Sequence, residues 1–168
     1  PYRYIDSIEE LMAQDEVKYG MQRGGDYDTY RYFRTFQNSN DSLHKKMLET
    51  MERNGEDSFT EYYKRGIDSV RNSDGNFAFI IDDAINRYEN TRKPCDTRKI
   101  GANVATYHYA VATKKGSPLS AKIAKAIKDL QDRGEIAKIH DHWFIETTQC
   151  PEESNGMVRT KKKTVSLI

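Results

Sequence analysis

This sequence has no long apolar run and no large net charge of either sign. Its 27 Lys and Arg residues balance 26 Asp and Glu residues, for a formal net charge of +1 at pH 7. A balanced chain offers no general electrostatic attraction to nucleic acid, so we expect no nucleic-acid partner. No segment approaches the roughly 18 to 20 consecutive apolar residues that a membrane helix needs. The start, Pro1-Tyr2-Arg3-Tyr4, has neither an initiator methionine nor a signal-peptide core, and we expect the chain to come from a longer protein.

Cysteine is scarce as well. Cys95 and Cys150 lie far apart, at a spacing that fits no zinc or redox motif. Two free buried thiols and one disulfide closing a long loop are both compatible with this composition. A disulfide would stabilise the fold by about 4 kcal/mol in the loop-entropy estimate and would require an oxidising compartment.

Catalytic and cofactor motifs are missing too. The sequence has no phosphate loop or dinucleotide motif, and no Ser/His/Asp or Cys/His arrangement can be argued. His140 and His142 flank Asp141, but side chains two apart on a helix point to different faces, so we expect no metal site. We therefore expect no cofactor and no enzymatic activity.

Aromatic residues are plentiful by contrast, with 11 Tyr and 6 Phe. They supply large apolar bodies to a chain that is otherwise polar for a globular protein. At 168 residues the chain is long enough for one ordinary domain, or for a domain and part of another. Its periodicity predicts helix, strand, helices, strand and helix in that order, which favours an α/β layer over a helix bundle.

The most informative segment is the apolar run that ends at Asp82. Residues 77–81 predict a buried strand, bounded by a turn at Asp74-Gly75 and followed by two acids. Ligands of open α/β sheets bind outside the carboxyl ends of the strands, so Asp82 is placed to bind a ligand's ammonium group. Asp82 or Asp83 is equally suited to cap the helix that begins at Ala84.

A glycine-rich segment, Gly24 to Thr29, separates a short strand from an aromatic run. Such a loop leaves backbone N–H groups available for an anion at a helix start. Asp26 and Asp28 would repel an anion, and a polar loop with an aspartate cap is an equally good interpretation.

The C-terminal third predicts two strands, over residues 100–105 and 107–113, and then helices. Ser117-Pro118 begins a helix whose apolar stripe is Leu119, Ile123, Ile127 and Leu130, and Trp143 is expected to anchor a core. The composition after Pro151 is typical of a linker, and its basic cluster either stays solvated or binds an acidic lipid surface. Asn40-Asp41-Ser42 is an N-glycosylation sequon.

Several of these segments follow one another in an order that resembles the S2 half of the ligand-binding domain of ionotropic glutamate receptors. The resemblance runs from about Ile5 to Cys150 and mixes AMPA/kainate-like features with NMDA-like ones. The motifs that carry it are Ser7 to Leu11 with Gln14 and Tyr19-Gly20, Gly66 to Arg71 with Gly75 and Phe77-Ala78-Phe79, Arg92 to Thr97 with Lys99-Ile100-Gly101, Tyr109 to Pro118, and Leu130 with Gly134 and Trp143.

The resemblance implies an α/β clamshell of the periplasmic-binding-protein type, of which this chain holds lobe 2 and the returning part of lobe 1. Residues 1–5 would be a linker from a preceding membrane segment, and residues 6–106 would form lobe 2. Residues 107–150 would return to lobe 1, and residues 151–168 would lead towards the final membrane helix.

The resemblance also implies specific roles and partners. Asp82 falls at the acid that binds the ammonium group of the amino-acid ligand, and Cys95 and Cys150 fall at the family's disulfide. The partners would be an amino acid, the first half (S1) of the same domain and the other subunits of a tetramer. The implied location is the extracellular face of the plasma membrane, with a synaptic site as one expectation.

The departures from the family pattern bear on the ligand. The family's Gly-Ser-Thr is replaced by Gly25-Asp26-Tyr27 in one register and by Tyr27-Asp28-Thr29 in another. Either register puts an aspartate where a glutamate ligand's side-chain carboxylate would bind, and like charges repel. This favours glycine over glutamate unless a nearby cation compensates.

Two further departures lie close to the expected cleft. The usual Gly-Tyr-Gly is His108-Tyr109-Ala110, which adds bulk near the hinge, and the resemblance makes Tyr109 a candidate ligand-binding residue. Tyr63, Lys64 and Arg65 lie where the family faces the other lobe, so Lys64 or Arg65 is a candidate for an interlobe salt bridge. An exposed helix face is the plainer interpretation of these two cations.

The function that the resemblance implies is an amino-acid-binding segment of a ligand-gated cation channel. The alternative is a soluble amino-acid-binding protein of a transporter system, which would use the same fold.

Overall fold

The computed structural model describes residues 5–24, 33–106 and 108–150 and the backbone of residues 163–167. The helices are α1 (Ile8–Met12), α2 (residues 33–37 within the described part), α3 (Ser42–Asn54), α4 (Tyr63–Asn72), α5 (Asp83–Asn90), α6 (Leu119–Asp132) and α7 (Glu135–Asp141). The strands are β1 (Lys18–Gln22), β2 (Phe59–Thr60), β3 (Phe77–Ile81), β4 (Thr97–Ile100) and β5 (Lys163–Leu167). A 3₁₀ turn spans Glu56–Ser58 and a π-helical turn spans His142–Glu146.

The strands form one five-stranded sheet in the order β2-β1-β3-β5-β4, and every pairing is parallel. Parallel strands need crossover connections, and α3 and α4 supply them on the way from β1 to β3. The α/β class that the sequence predicts is confirmed.

The central strand β3 is buried on both faces, as parallel sheets require. Ala78 and Ile80 point into a first core with α1, α3 and residue Phe36. Phe79 and Ile81 point into a second core with Ile67 and Val70 of α4. The period-2 alternation of β3 therefore divides one apolar run between two cores.

The tail strand β5 was not anticipated from the sequence, which predicts a linker over residues 151–168. Its backbone pairs with β3 on one side and with β4 on the other. Alternation of polar and apolar residues in Thr164-Val165-Ser166-Leu167 is the strand signal that the basic cluster before it obscured. The linker role of the rest of the tail stays a prediction.

The strands predicted over residues 100–105 and 107–113 are wrong in their described parts, because β4 ends at Ile100 and residues 101–105 and 108–113 belong to no sheet. The expectation that Trp143 anchors a core is also wrong, because its side chain is 50% exposed. Neither α6 nor α7 contains a buried residue. Helical periodicity identifies the apolar face of a helix, but it does not say what covers that face.

Tyr19 gives the fold a pH dependence of its own. Its side chain is only 2% exposed. Burial raises the pKa of the Tyr19 phenol above its usual value, and Asp15 adds to the rise; the Thr50 side chain and the Arg53 charge oppose it by less. The folded state therefore holds this proton more tightly than the unfolded state.

We expect the free energy of unfolding to fall as the pH rises above about 10, where the unfolded phenol loses its proton while the folded one keeps it. Below that pH both states are protonated and Tyr19 contributes no pH dependence. Urea unfolding at pH 8 and at pH 10.5 should show a steeper loss for the wild type than for Tyr19→Phe. Tyr88→Phe, at a surface tyrosine, is the matched control and should keep the wild-type slope. An unchanged slope in Tyr19→Phe would contradict this assignment.

Candidate functional site

The carboxyl ends of the parallel strands lie at one edge of the sheet, which we call the carboxyl edge; it comprises Arg23 after β1, Glu61 after β2 and Asp82 after β3. Met21 pairs with Ile80 in the β1–β3 ladder. Arg23 directly follows β1, and Asp82 directly follows β3. Ligands of open α/β sheets bind at such an edge, so these residues are the natural starting point for a site.

The Asp82 carboxylate is half-buried and accepts hydrogen bonds from at least three groups. Its Oδ1 accepts hydrogen bonds from the backbone N–H groups of Ala84 and Ile85, at 2.9 and 3.3 Å. Its Oδ2 accepts one from the Tyr109 hydroxyl at 3.1 Å. The predicted helix cap is therefore confirmed.

Asp83, the next residue, has two cationic partners. Its carboxylate bonds Lys99 Nζ at 3.2 Å and Arg87 Nε at 3.0 Å. Lys99 in turn donates to Asn103 Oδ1 at 2.6 Å. Two cations already satisfy Asp83, so it serves as a structural acid between α5 and β4.

Tyr109 comes from the extended segment at residues 108–113 and is brought to the carboxyl edge by its bond to Asp82. Its side chain is 81% exposed. The resemblance made Tyr109 a ligand-site residue on sequence grounds, and the structure brings it together with Asp82. The four other ligand candidates, Asp26, Tyr27, Asp28 and Thr29, lie outside the described residues.

The first turn of α4 carries the residues predicted to contact the other lobe. Tyr63 packs against the second core, whereas Lys64 and Arg65 are exposed. Tyr62, the residue before the helix, is 59% exposed. The interlobe role of Tyr63, Lys64 and Arg65 stays a prediction.

Arg23 is a feature of the carboxyl edge that the sequence analysis missed. Its backbone N–H donates to the Thr60 carbonyl at 2.8 Å. Its guanidinium carbon lies 3.9 Å from the ring centroid of Phe59 and 5.7 Å from that of Phe33, and the guanidinium bonds the Glu56 carboxylate. A charged residue directly after a strand was the signal that singled out Asp82, and it applies equally to Arg23.

One junction between the C-terminal helices and the body of the structure surrounds the Cys95–Cys150 disulfide. The disulfide implied by the resemblance forms between Cys95 and Cys150. Beside it the Arg92 guanidinium donates to the Thr147 carbonyl at 2.6 Å and to the Thr147 hydroxyl at 3.1 Å, and stacks 4.0 Å over the Tyr88 ring. A cation at the carboxyl end of a helical turn also complements the helix dipole.

A sequence profile of the bacterial extracellular solute-binding proteins, family 3, matches residues 8–146. The chain belongs to this family. The match runs from α1 to the end of the π-helical turn and therefore includes Asp82, Arg23 and Tyr109. The clamshell fold class is thereby confirmed.

Curated relatives of this solute-binding family member include glutamate receptors, which confirms the resemblance. Glutamate receptor 2 of Caenorhabditis elegans is 35% identical over 162 residues, covering 87% of this chain and 16% of that protein. Glutamate receptor 3 of Mus musculus is 34% identical over 163 residues, with coverages of 97% and 18%. A glutamate receptor of Lymnaea stagnalis is 31% identical over 152 residues, with coverages of 90% and 16%. The chain thus spans about one sixth of the length of these relatives.

The described residues contain neither a metal-binding cluster nor a helix suited to span a membrane. Across residues 5–24, 33–106 and 108–150, no group of three or more His, Cys, Asp or Glu side chains could hold a metal ion. His140 contacts Asp141 at 3.1 Å and His142 contacts Glu146 at 3.1 Å, so the two rings have separate partners. Among the described helices, none has the length and apolar character needed to span a bilayer.

Proposed function

We propose that this chain is the extracellular amino-acid-binding segment of an ionotropic glutamate receptor-like, ligand-gated cation channel. Asp82 binds the α-ammonium group of the ligand. The observation that carries the proposal is the Asp82 carboxylate itself, held at the carboxyl edge by two backbone N–H donors and the Tyr109 hydroxyl. Receptor relatives that cover most of the chain support the assignment.

The geometry suits recognition of an ammonium group. The α5 N–H groups and the Tyr109 hydroxyl fix the carboxylate in one orientation, so little side-chain entropy is lost when the ligand binds. A charge-assisted N⁺–H···O⁻ bond is roughly twice as strong as a neutral one. The arrangement binds and orients the ligand, as a receptor site does.

The partner that completes the site is the first half (S1) of the same domain. The segment at 108–113 and helices α6 and α7 expose large apolar side chains that a second chain segment would cover. They are Tyr109, Val111, Leu119, Ile136, Ile139, Trp143 and Ile145. This chain alone is therefore expected to bind its ligand weakly or not at all, and subunits are expected to assemble as a tetramer.

Closure of the two lobes would transmit binding to the pore. A ligand that contacts both lobes favours the closed state by its differential contacts. Lys64 or Arg65, on the exposed first turn of α4, would then pair with an acid of the opposite lobe. Lobe 2 would pull on the linkers that join it to the membrane segments.

The proposed location is the extracellular face of the plasma membrane, with a synaptic site as the finer possibility. The disulfide between Cys95 and Cys150 is typical of an oxidising compartment. Asn40 is exposed and directly precedes Asp41, the residue that caps α3, which makes it a candidate site of N-glycosylation in that compartment.

The profile match favours a second candidate, a soluble amino-acid-binding protein of a transporter system. Both candidates predict binding of an amino acid at Asp82. They differ in that the complete protein of a receptor gives a ligand-gated cation current in cells, whereas a transporter's binding protein gives none.

The test of the proposed function is calorimetric titration of this chain joined to its first half, with glycine, D-serine and L-glutamate in parallel. We expect saturable binding of at least one amino acid. Glycine without glutamate would support the repulsion expected from Asp26 or Asp28, and glutamate binding would mean that a cation compensates for it. Failure of all three ligands would contradict the proposal.

A further inference from the structure

One buried histidine holds the segment that leads to Tyr109. His44 of α3 is only 8% exposed, and its Nε2 lies 2.7 Å from the carbonyl oxygen of Val104. Further along the same segment is Tyr109, whose hydroxyl donates to the Asp82 carboxylate at 3.1 Å. We propose that His44 is a positioning residue of the ligand site: through Val104 it fixes the segment that brings Tyr109 to Asp82. This inference rests on the proposed function.

The hydrogen-bond partners of the His44 ring fix its orientation. The Val104 carbonyl can only accept, so Nε2 carries the hydrogen and donates to it. The Asp41 backbone N–H donates to Ser39 Oγ at 3.0 Å, and the Ser39 hydroxyl in turn donates to His44 Nδ1 at 2.8 Å. The ring centroid lies 4.6 Å from that of Phe36, whose side chain is fully buried. Both ring nitrogens are therefore satisfied, and the ring is a rigid support for the Val104 carbonyl.

The Val104 carbonyl lies where the chain leaves the first core. Val104 still packs against that core, whereas Thr106 and residues 108–110 are exposed. The Tyr109 side chain is 81% exposed, so the packing of its own ring does little to place it. Its position depends instead on where the backbone of the segment is held. The bond from His44 holds that backbone at the point where the segment begins.

A second contact holds the same segment less firmly. Lys99 Nζ donates to Asn103 Oδ1 at 2.6 Å, but Asn103 is exposed and the contact joins two side chains. Water competes for exposed contacts of this kind, and ordering two long side chains costs entropy. The His44 bond is made to the Val104 backbone itself, by a ring that is shielded from water, where a hydrogen bond is electrostatically stronger. His44 is therefore the stronger of the two supports.

The test is calorimetric titration of the chain joined to its first half with glycine, D-serine and L-glutamate. Glutamine can place its amide nitrogen where the histidine Nε2 lies, whereas asparagine reaches only the position of Nδ1. His44→Asn should therefore weaken binding by about 5- to 20-fold, whereas His44→Gln should bind within about 3-fold of the wild type. Ser39→Ala removes the partner of Nδ1 and spares the bond to Val104, so it is the matched control and should also bind within about 3-fold.

A double variant distinguishes positioning from a general effect on stability. Tyr109→Phe removes the hydroxyl that bonds Asp82 and should weaken binding by about 5- to 20-fold on its own. Because His44 acts through Tyr109, adding His44→Asn to Tyr109→Phe should weaken binding by less than about 2-fold more. Losses that multiply in the double variant would overturn the inference, since they would show that His44 affects binding independently of Tyr109.

Two further variants keep the test decisive. If His44→Asn folds poorly, Val104→Ala loosens the same support by reducing its contact with the first core; it should weaken binding about 2- to 5-fold alone and not in the Tyr109→Phe background. Binding that is lost in Asp82→Asn but unchanged in His44→Asn and Val104→Ala would overturn this inference alone. Binding that is unchanged in Asp82→Asn, or a wild type that binds none of the three amino acids, would overturn the proposed function and this inference with it.

Discussion

Replacing Asp82 with asparagine is expected to weaken amino-acid binding by about 100-fold or more in the chain joined to its first half. Removing one member of a hydrogen-bonded charge pair in a binding site costs on the order of 2 to 5 kcal/mol, because the ligand's ammonium group is left without its counter-charge. Asparagine keeps a side-chain oxygen that can accept from Ala84 and Ile85. The cap of α5 therefore survives the substitution, and the loss reports on the ligand contact.

Alanine at the same position separates the two roles of Asp82. Asp82→Ala removes the cap as well as the charge, so it should add about 1 kcal/mol of lost stability to the loss of binding. Binding is measured by calorimetric titration and stability by urea unfolding of the same variants. If Asp82→Asn binds normally, the carboxylate is a helix cap only.

Asp83→Asn is the matched control for this prediction. It removes the neighbouring carboxylate and the ion pairs with Lys99 and Arg87. We expect a small loss of stability and no more than about a 3-fold change in binding, because those pairs are partly exposed and weak. A binding loss as large as that of Asp82→Asn would mean that the effect comes from the net charge of the edge.

The second large effect is expected from Gly20→Ala, which should destabilise the fold by more than about 3 kcal/mol. A Cβ at Gly20 would lie 2.1 Å from the Ser58 carbonyl oxygen and 2.9 Å from the Phe77 ring. The first of these atoms belongs to the backbone, and Ser58 is 2% exposed. The strand β1 cannot shift to relieve the clash without breaking its pairing with β3.

Urea unfolding of the chain joined to its first half measures this effect. Gly116→Ala is the control: nothing lies within 4 Å of its Cβ position, and its φ of +78° predicts a cost of about 1 kcal/mol from backbone strain alone. If Gly20→Ala is as stable as Gly116→Ala, the close packing of β1 against the 3₁₀ turn is contradicted. Because Arg23 follows the same strand, Gly20→Ala should also disturb the carboxyl edge.

Local sequence signals predicted the central part of the site well. The strand at Phe77–Ile81 and the cap at Asp82 both follow from residues adjacent in sequence, since an apolar β-prone run stopped by an acid has few alternatives. Ser7 and Asp41 likewise accept hydrogen bonds from backbone N–H groups of the helices that they cap. These features depend on backbone hydrogen bonds within a few residues, which composition and spacing describe directly.

These local signals do not predict long-range contacts. The Arg23 guanidinium contacts Phe59, Phe33 and Glu56, and these three residues belong to other elements of the fold. Nothing in the spacing of Arg23 says that it stacks on these rings. The contact with Phe59 comes from the pairing of β1 with β2.

The sequence by itself determined the α/β class, the position of β3, the capped start of α5 and the family to which the chain belongs. The tertiary structure alone decided that Lys163–Leu167 lies between β3 and β4, that Trp143 is half-exposed, and that Arg23 and Tyr109 reach the carboxyl edge. The physical reason is that periodicity and capping are properties of neighbouring residues. Strand order and burial depend on which distant surfaces meet, and that is settled by the packing of the whole chain.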